Sequence, residues 1–205
     1  MNLLKVTIIL LTCFFSANLT AQDTKTILFF GDSITAGYGI EEEDAFPARI
    51  QTKIDSLNLN YRTVNAGLSG ETSAGGLRRV DWILQQPINI FVLELGGNDG
   101  LRGIDPENTK ENLRGIIDKV QNTYPDVTIV LTGMESPPNM GSDYTERFRQ
   151  IYFELNNEFD VVFMPFILED VAGDPELNLP DGIHPTAKGH HIVAKNLWQY
   201  LRPIL

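Results

Sequence analysis

Residues 27–39 have the sequence ILFFGDSITAGYG, in which four apolar residues are followed directly by Gly-Asp-Ser. Together with Thr26 the apolar residues predict a buried β-strand over 26–30, because β-branched and aromatic residues favour strands. Gly31-Asp32-Ser33 is a combination that is common in turns. Ser33 is therefore either a turn residue or a nucleophile at the end of a strand, and the remainder of the chain has to distinguish the two.

Outward from this stretch, strand-like and helix-like patterns alternate along the whole chain. Short runs of β-branched and aromatic residues are separated by segments whose apolar residues recur every three or four positions. This alternation predicts an α/β fold with one five-stranded, mostly parallel sheet and helices on both faces. No linker, repeat or low-complexity segment divides the chain. The predicted strands are 26–30, 61–65, 88–95, 127–131 and 161–165, and the predicted helices are 45–57, 72–84, a segment starting at 105, 142–159 and 185–201.

The first 21 residues have the pattern of a secretory signal peptide. Lys5 supplies the positive start, residues 6–15 form an apolar run, and Leu19-Thr20-Ala21 resembles a small-residue cleavage site. The run is shorter than the roughly 20 residues that a membrane-spanning helix needs, and an uncleaved N-terminal anchor is the alternative. We therefore expect a signal peptide over 1–21 and an exported domain, periplasmic or secreted, over 22–205.

Composition limits the partners of the mature chain. The formal net charge is −11, and loss of Lys5 with the signal peptide makes it −11 − 1 = −12. This acidity disfavours nucleic acids and anionic membrane surfaces as partners. The single cysteine, Cys13, lies inside the signal peptide, so the mature chain has no disulfide and no thiolate. We expect a monomer without stable membrane insertion, held together by its apolar core.

Five residues with complementary chemistry lie in loops of the predicted sheet. In open α/β sheets, functional residues follow the carboxyl ends of the strands. Ser33 supplies a hydroxyl nucleophile, His184 a base and Asp181 a carboxylate that orients the base, which are the parts of a serine hydrolase. The negative oxygen of the tetrahedral intermediate also needs donors. The backbone N–H groups of Ser33 and Gly70 and the side-chain amide of Asn98 can supply them.

Each of these features also has an ordinary structural interpretation. Gly-Asp-Ser and Asn-Asp-Gly are common in tight turns, and a lone loop glycine has no special meaning. Asp181-Gly182 can be a turn, and His184 before Pro185 can be the entry to a helix. The catalytic interpretation gains support because the complementary groups all follow strands of the same predicted sheet.

Four sequence blocks resemble those of the GDSL, or SGNH, hydrolase family. They are FFGDSITAGYG, NAGLSGETSAGGL, LELGGNDGLRG and DGIHPTAKGH. Within the family the chain is most similar to the bacterial exported thioesterase I/lysophospholipase and arylesterase branch, although a typical DDGIHP-like closing is PDGIHP here. The resemblance implies a flavodoxin-like three-layer α/β/α sandwich and neither a metal nor another cofactor. It implies that Asp181 completes a triad with Ser33 and His184. It also implies oxyanion donors from Ser33, Gly70 and Asn98.

Three other function classes agree less well with the sequence. A phosphate-binding loop needs Gly-x-x-x-x-Gly-Lys-Ser/Thr, but Tyr38 follows Gly37 where lysine is required. A metal site at His184, His190 and His191 lacks suitable spacing, because the last two are adjacent in a predicted helix and point about 100° apart. We expect those two to cap the helix or to face solvent. An exported module that only binds a ligand is the non-catalytic alternative, but no catalytic residue type is missing.

The substrate depends on the loops rather than on the catalytic residues. Apolar residues in the loops after the later strands predict a groove for an acyl chain, although the same residues could simply anchor the loops. Aryl esters, lysophospholipids and acyl-CoA thioesters are all compatible with this catalytic machinery, and acetyl esters of carbohydrates are the alternative. The apolar loops favour medium-length acyl chains. The predicted substrate-binding residues are Leu101, Arg102, Met134, Pro138, Met140 and Ile167.

Overall fold

A computed structural model describes residues 24–205, in which five strands alternate with seven α-helices. The predicted signal peptide over 1–21, with Cys13, lies outside the described residues. None of the helices in the described part is long and apolar enough to cross a membrane. The strands are β1 (Lys25–Gly31), β2 (Tyr61–Asn65), β3 (Ile90–Glu94), β4 (Thr128–Thr132) and β5 (Val162–Met164). The helices are α1 (Ser33–Ala36), α2 (Phe46–Ser56), α3 (Ser73–Ile83), α4 (Gly97–Leu101), α5 (Pro106–Thr123), α6 (Ser142–Glu158) and α7 (Ala187–Leu201).

The five strands form one sheet in the order β2-β1-β3-β4-β5, and every neighbouring pair is parallel. This is the flavodoxin-like strand order. Helices α3, α5 and α6 pack together as one layer, while α2 and α7 pack together as the other. The prediction of a three-layer α/β/α sandwich is therefore confirmed.

The apolar run of β1 is continuous because both of its faces are covered. Phe29 and Phe30 are both 0 % exposed. The Phe29 ring meets Phe46 of α2 edge-on, with ring centroids 5.5 Å apart, whereas the guanidinium of Arg79 in α3 lies 4.1 Å from the Phe30 ring centroid. Successive side chains of a strand point to opposite faces, so β1 joins both helical layers. Truncation of either phenylalanine to alanine should cost about 3–5 kcal/mol of stability.

The predicted and observed elements differ mainly at short helices and at one helix start. Helices α1 and α4, of four and five residues, were not predicted because so few residues show no helical periodicity. The last helix begins at Ala187 rather than at Pro185. Thr186 caps it by accepting a hydrogen bond from the N–H of Gly189 at 3.3 Å, and Pro185 instead forms an antiparallel bridge with Asn178.

Candidate active site

The candidate site lies where the strand order of the sheet changes direction. The chain passes from β1 outward to β2 and then returns to β3 on the other side of β1, and ligands of such sheets bind at this point, beyond the carboxyl ends of the strands. Ser33 begins α1 directly after β1, and Asn98 lies in α4 after β3. His184 reaches the same edge from the loop before α7, and all three residues line one cavity.

Ser33, His184 and Asp181 form a continuous hydrogen-bonded chain. The His184 ring lies between them, with Nε2 2.9 Å from Ser33 Oγ and Nδ1 2.7 Å from Asp181 Oδ2. An ionised carboxylate only accepts hydrogen bonds, so Nδ1–H donates to Asp181 and Nε2 accepts from the Ser33 hydroxyl. This is the tautomer in which a histidine can take the serine proton.

Asp181 is held as a carboxylate by its own loop. Its Oδ1 accepts hydrogen bonds from the backbone N–H groups of His184 at 3.0 Å and Ile183 at 2.9 Å. These backbone bonds, together with the bond to the His184 ring, lower the pKa of Asp181 from 3.8 to about 2. Gly182 has a φ of +70°, a conformation that favours glycine, and it lies in the turn between Asp181 and His184. The turn formed by the sequence DGIH, residues 181–184, therefore places the Asp181 carboxylate against the His184 ring.

Asp32 connects the start of α1, where Ser33 lies, to Asn98. Its Oδ1 accepts the N–H of Ile34 at 2.9 Å and caps α1, while its Oδ2 accepts from Asn98 Nδ2 at 3.2 Å. Burial raises the pKa of Asp32 from 3.8 to about 6, although both hydrogen bonds and the nearby His184 oppose the rise. An amide NH₂ has two donors, so this bond fixes Asn98 and leaves its second N–H available to a substrate.

Gly70 lies on the loop after β2, which several polar contacts fix. Its φ is +81° and it is exposed. Its carbonyl oxygen accepts from the Arg102 guanidinium at 3.0 Å, and the adjacent Glu71 forms an ion pair with Arg79, which also donates to the carbonyl of Ala66 at 2.9 Å. Gly70 is not among the residues that line the cavity in the described part of the chain. Its backbone N–H as an oxyanion donor therefore stays a prediction.

Asp99 is a structural residue of the site that sequence reasoning had interpreted only as part of a turn. It is 0 % exposed. Its Oδ2 accepts the N–H of Ser73 at 2.9 Å, and its Oδ1 accepts the hydroxyls of Ser73 at 2.5 Å and Thr109 at 3.2 Å. Asp99 thus ties α4, and with it the neighbouring Asn98, to the starts of α3 and α5. The available signal was an acidic residue within the glycine-rich segment GGNDG that follows β3.

A cavity of about 640 Å³ opens beside Ser33 and His184. Three of the predicted substrate-binding residues, Leu101, Met134 and Pro138, line it. Its volume lies in the range of pockets that bind small organic ligands. Most of the wall is apolar. The apolar lining residues include Ile34, Leu101, Met134, Pro138, Phe166 and Leu168.

The other three predicted substrate-binding residues are not part of this lining. Arg102 is bound to the Gly70 carbonyl, and Met140 packs beside Gly103, where a Cβ would approach its Cε at 2.9 Å. Ile167 is 0 % exposed and belongs to the hydrophobic core. The neighbouring Phe166 lines the cavity instead, as Ile167 turns inward.

One contact of His184 and one of His190 were also not predicted. The Tyr38 ring centroid lies 4.5 Å from that of His184. His190, expected at a cap or facing solvent, is 1 % exposed, and its Nδ1 accepts the N–H of Phe46 at 3.2 Å. Burial lowers the pKa of His190 from 6.5 to about 4, whereas His191 is exposed.

Within residues 24–205, no three or more His, Cys, Asp or Glu side chains are grouped so that they could hold a metal ion.

Comparison with known proteins assigns the family. Residues 29–192 match the GDSL-like Lipase/Acylhydrolase family. Thioesterase 1/protease 1/lysophospholipase L1 of Escherichia coli (strain K12) is 39 % identical over 188 residues, which cover 90 % of this chain and 87 % of that protein. The crystal structure of TesA superposes with a TM-score of 0.83 at 37 % identity, covering 88 % of this chain and all of that chain. The psychrotrophic esterase EstA from Pseudoalteromonas sp. superposes with a TM-score of 0.81 at 31 % identity, covering 87 % of this chain and 97 % of that chain. That structure is inhibited by monoethylphosphonate.

The chain belongs to the GDSL-like lipase/acylhydrolase family. The resemblance drawn from the four sequence blocks is confirmed, because the match spans most of the described residues. The prediction that the chain is an enzyme of the GDSL type is confirmed with it.

Proposed function

We propose that the protein is a serine esterase that hydrolyses esters or thioesters of medium-length acyl chains. The observation that carries this proposal is the hydrogen-bonded chain from Asp181 through His184 to Ser33, at the mouth of an apolar cavity. A nucleophile, a base and an orienting carboxylate within hydrogen-bonding distance of each other are the requirements of acyl transfer.

The proposed reaction follows from the direction of these hydrogen bonds. As Ser33 Oγ attacks the substrate carbonyl carbon, its proton passes to His184 Nε2, and Asp181 stabilises the imidazolium that forms. His184 then gives this proton to the leaving alcohol or thiol as the tetrahedral intermediate collapses to an acyl-enzyme. Water enters by the same route, with His184 as base, and hydrolysis releases the acid and regenerates Ser33.

The oxyanion of the intermediate needs donors that are fixed in advance. We propose the second N–H of the Asn98 amide, together with the backbone N–H groups of Ser33 and Gly70. The hydrogen bond from Asn98 to Asp32, at 3.2 Å, supports this role because it fixes the plane of the amide. No reorganisation of that side chain is then needed during the reaction.

The cavity supports a preference for an acyl chain longer than acetyl. Each methylene that moves from water into an apolar site gains about 0.8 kcal/mol. For a series of 4-nitrophenyl esters, kcat/KM should therefore rise about fourfold per added methylene until the chain fills the cavity of about 640 Å³. A peak at acetyl instead, with hydrolysis of acetylated sugars, would favour the carbohydrate acetylesterase alternative.

The same ester series, together with a lysophospholipid and an acyl-CoA, tests the proposal. Ser33→Ala should lower kcat on the order of 10⁴-fold for every substrate. The relative kcat/KM values separate aryl esterase, lysophospholipase and thioesterase activities. Failure of the wild-type protein to hydrolyse any of them would favour the non-catalytic binding module.

A matched pair of variants tests the assignment of the acyl site. Leu168 lines the cavity and is 8 % exposed, so Leu168→Trp should shorten the preferred chain by several methylenes. Leu57 is 49 % exposed at the end of α2, and Leu57→Trp should leave the chain-length profile unchanged. Equal profiles for the two variants would contradict this assignment.

Export is proposed on the sequence alone. The signal peptide over 1–21 predicts a mature, periplasmic or secreted chain that starts at residue 22. N-terminal sequencing of the protein purified from the cell envelope and from the medium would locate both the cleavage point and the compartment.

A further inference from the structure

Glu94 is the one acidic residue of β3 and lies beside the start of the candidate site. The strand has the sequence IFVLE, and all five of its residues are buried. In the pairing of β1 with β3, Glu94 is the register partner of Gly31. The carboxyl group is therefore placed next to the turn that leads from β1 to Ser33, while it is only 1 % exposed.

One oxygen of this carboxyl group contacts residues that precede and follow Ser33 in the chain. Glu94 Oε2 accepts the hydroxyl of Thr35 at 2.7 Å and the backbone N–H of Asp32 at 3.3 Å. Asp32 precedes Ser33 and Thr35 follows it by two positions, so the two bonds hold the segment that carries the serine. We call this group of Glu94, Thr35 and the Asp32 N–H the carboxyl clamp.

The glycine at position 31 is explained by the same contacts. A Cβ on Gly31 would lie 2.1 Å from Thr35 Oγ1 and 2.5 Å from Glu94 Oε2. Gly31 is absent from the residues of positive φ in the described part of the chain, so its backbone angle does not require glycine. The carboxyl clamp requires glycine at this position, because only a residue without a side chain leaves room for the Glu94 carboxyl group and the Thr35 hydroxyl.

The surroundings favour the neutral form of Glu94. Burial and the neighbouring Asp32 carboxyl raise the pKa of Glu94 well above its usual value, although the bonds from Thr35 and Asp32 oppose the rise. Its Oε1 has no hydrogen-bonding partner among residues 24–205. Glutamine is uncharged and nearly the same shape as the protonated acid, so it can supply an acceptor to the same two donors.

We infer that Glu94 is a positioning residue for the nucleophile, which through the carboxyl clamp holds Ser33 in line with His184 and holds Asp32 in place for Asn98. The inference rests on the proposed function and adds a residue that contacts neither the substrate nor the reacting atoms. Displacement of a reacting group by about 1 Å can cost roughly 10²-fold in rate. Loss of the clamp should therefore act on kcat, because neither Glu94 nor Thr35 is among the described residues that line the acyl cavity.

Three variants test the clamp with the nitrophenyl ester that the wild-type protein prefers. Glu94→Leu removes both bonds and should lower kcat by roughly 10- to 100-fold, with KM changed by less than about threefold. Glu94→Gln should recover most of that loss. Thr35→Val removes one bond of the two at nearly constant volume and should give an intermediate loss of roughly tenfold or less.

A fourth variant controls for the loss of a buried hydroxyl. Thr132 lies on β4, is 1 % exposed and donates to the carbonyl of Leu93 at 3.2 Å. Thr132→Val should leave kcat unchanged, because this bond does not reach the turn at Ser33. All values are expressed per active serine, counted from the endpoint of labelling with a fluorophosphonate, so that a smaller folded fraction cannot imitate a lower kcat.

Two results would overturn the inference. The first is a kcat per labelled serine within about twofold of wild type in both Glu94→Leu and Thr35→Val. The second is an equal loss in Glu94→Gln and Glu94→Leu. If Glu94→Leu does not fold, Thr35→Val still provides the test because it keeps the carboxyl group. Labelling of the wild-type protein at Ser33 tests the proposed function separately, so normal labelling with unaffected variants refutes the clamp alone.

Discussion

Replacement of His190 by asparagine should change how the stability of the protein depends on pH. His190 is buried where α7 packs on the first residue of α2, and its Nδ1 accepts the N–H of Phe46 at 3.2 Å. Its ring lies parallel to that of Phe46, with centroids 6.1 Å apart. Asparagine can accept the same hydrogen bond through Oδ1 but does not titrate.

The expected magnitude follows from the pKa of His190, which burial, helped by the charge of Arg49, lowers from 6.5 to about 4. Between these two pH values the unfolded chain is protonated at this histidine and the folded chain is not. The unfolded state then binds more protons, so the free energy of unfolding falls as the pH falls from 6.5 to 4. Below pH 4 the histidine is protonated in both states and causes no further loss. At about 1.4 kcal/mol per pH unit, the total loss is about 3 kcal/mol.

Urea denaturation at pH 7.0 and at pH 4.5 measures this contribution. Asp32 acts in the opposite sense, because its raised pKa of about 6 makes the folded chain bind a proton more tightly. The informative quantity is therefore the difference between proteins. The loss of stability between the two pH values should be about 2–3 kcal/mol smaller in His190→Asn than in the wild type. His191→Asn, at the exposed neighbouring position, should match the wild type. An unchanged pH dependence in His190→Asn would refute the reasoning.

Three further predictions concern the site itself. Asn98→Ala should lower kcat by roughly 10²–10³-fold with little change in KM, measured by steady-state kinetics, since it removes the proposed oxyanion donor. Gly31→Ala should destabilise the protein by about 1–3 kcal/mol in urea denaturation, because its Cβ would overlap Thr35 and Glu94; an unchanged midpoint would contradict this. A chelator should leave ester hydrolysis unchanged, because every proposed step uses side chains, and strong inhibition would restore the metal alternative.

The sequence predicted those features that depend on repeated patterns or on short local geometry. The apolar run over 27–30 and its alternation with helical segments predicted the sheet, because a parallel strand must be covered on both faces. Asp181 and His184 are three residues apart with Gly182 between them, so one turn of chain is enough to join the two side chains. The position of Ser33 beside His184 followed from the rule that the carboxyl ends of parallel strands share one edge.

The features that were missed depend on contacts between residues far apart in the chain. The contacts of Glu94 and Asp99 were not predicted, because their donors at Thr35 and Ser73 lie 59 and 26 residues away. His190 was expected at a cap or facing solvent because the sequence does not show that α2 covers it. Ile167 was assigned to the acyl site because loop composition does not show which side chains turn into the core.

The most direct test of the central claim is the mass of the protein after reaction with a fluorophosphonate. Nucleophilic attack by Ser33 predicts one adduct per chain, located at Ser33 by peptide mapping. The adduct should be absent in Ser33→Ala and should form far more slowly in His184→Ala, where the hydrogen bond of 2.9 Å to the base is lost. A Ser33→Ala protein that is labelled and hydrolyses esters like the wild type would contradict the account.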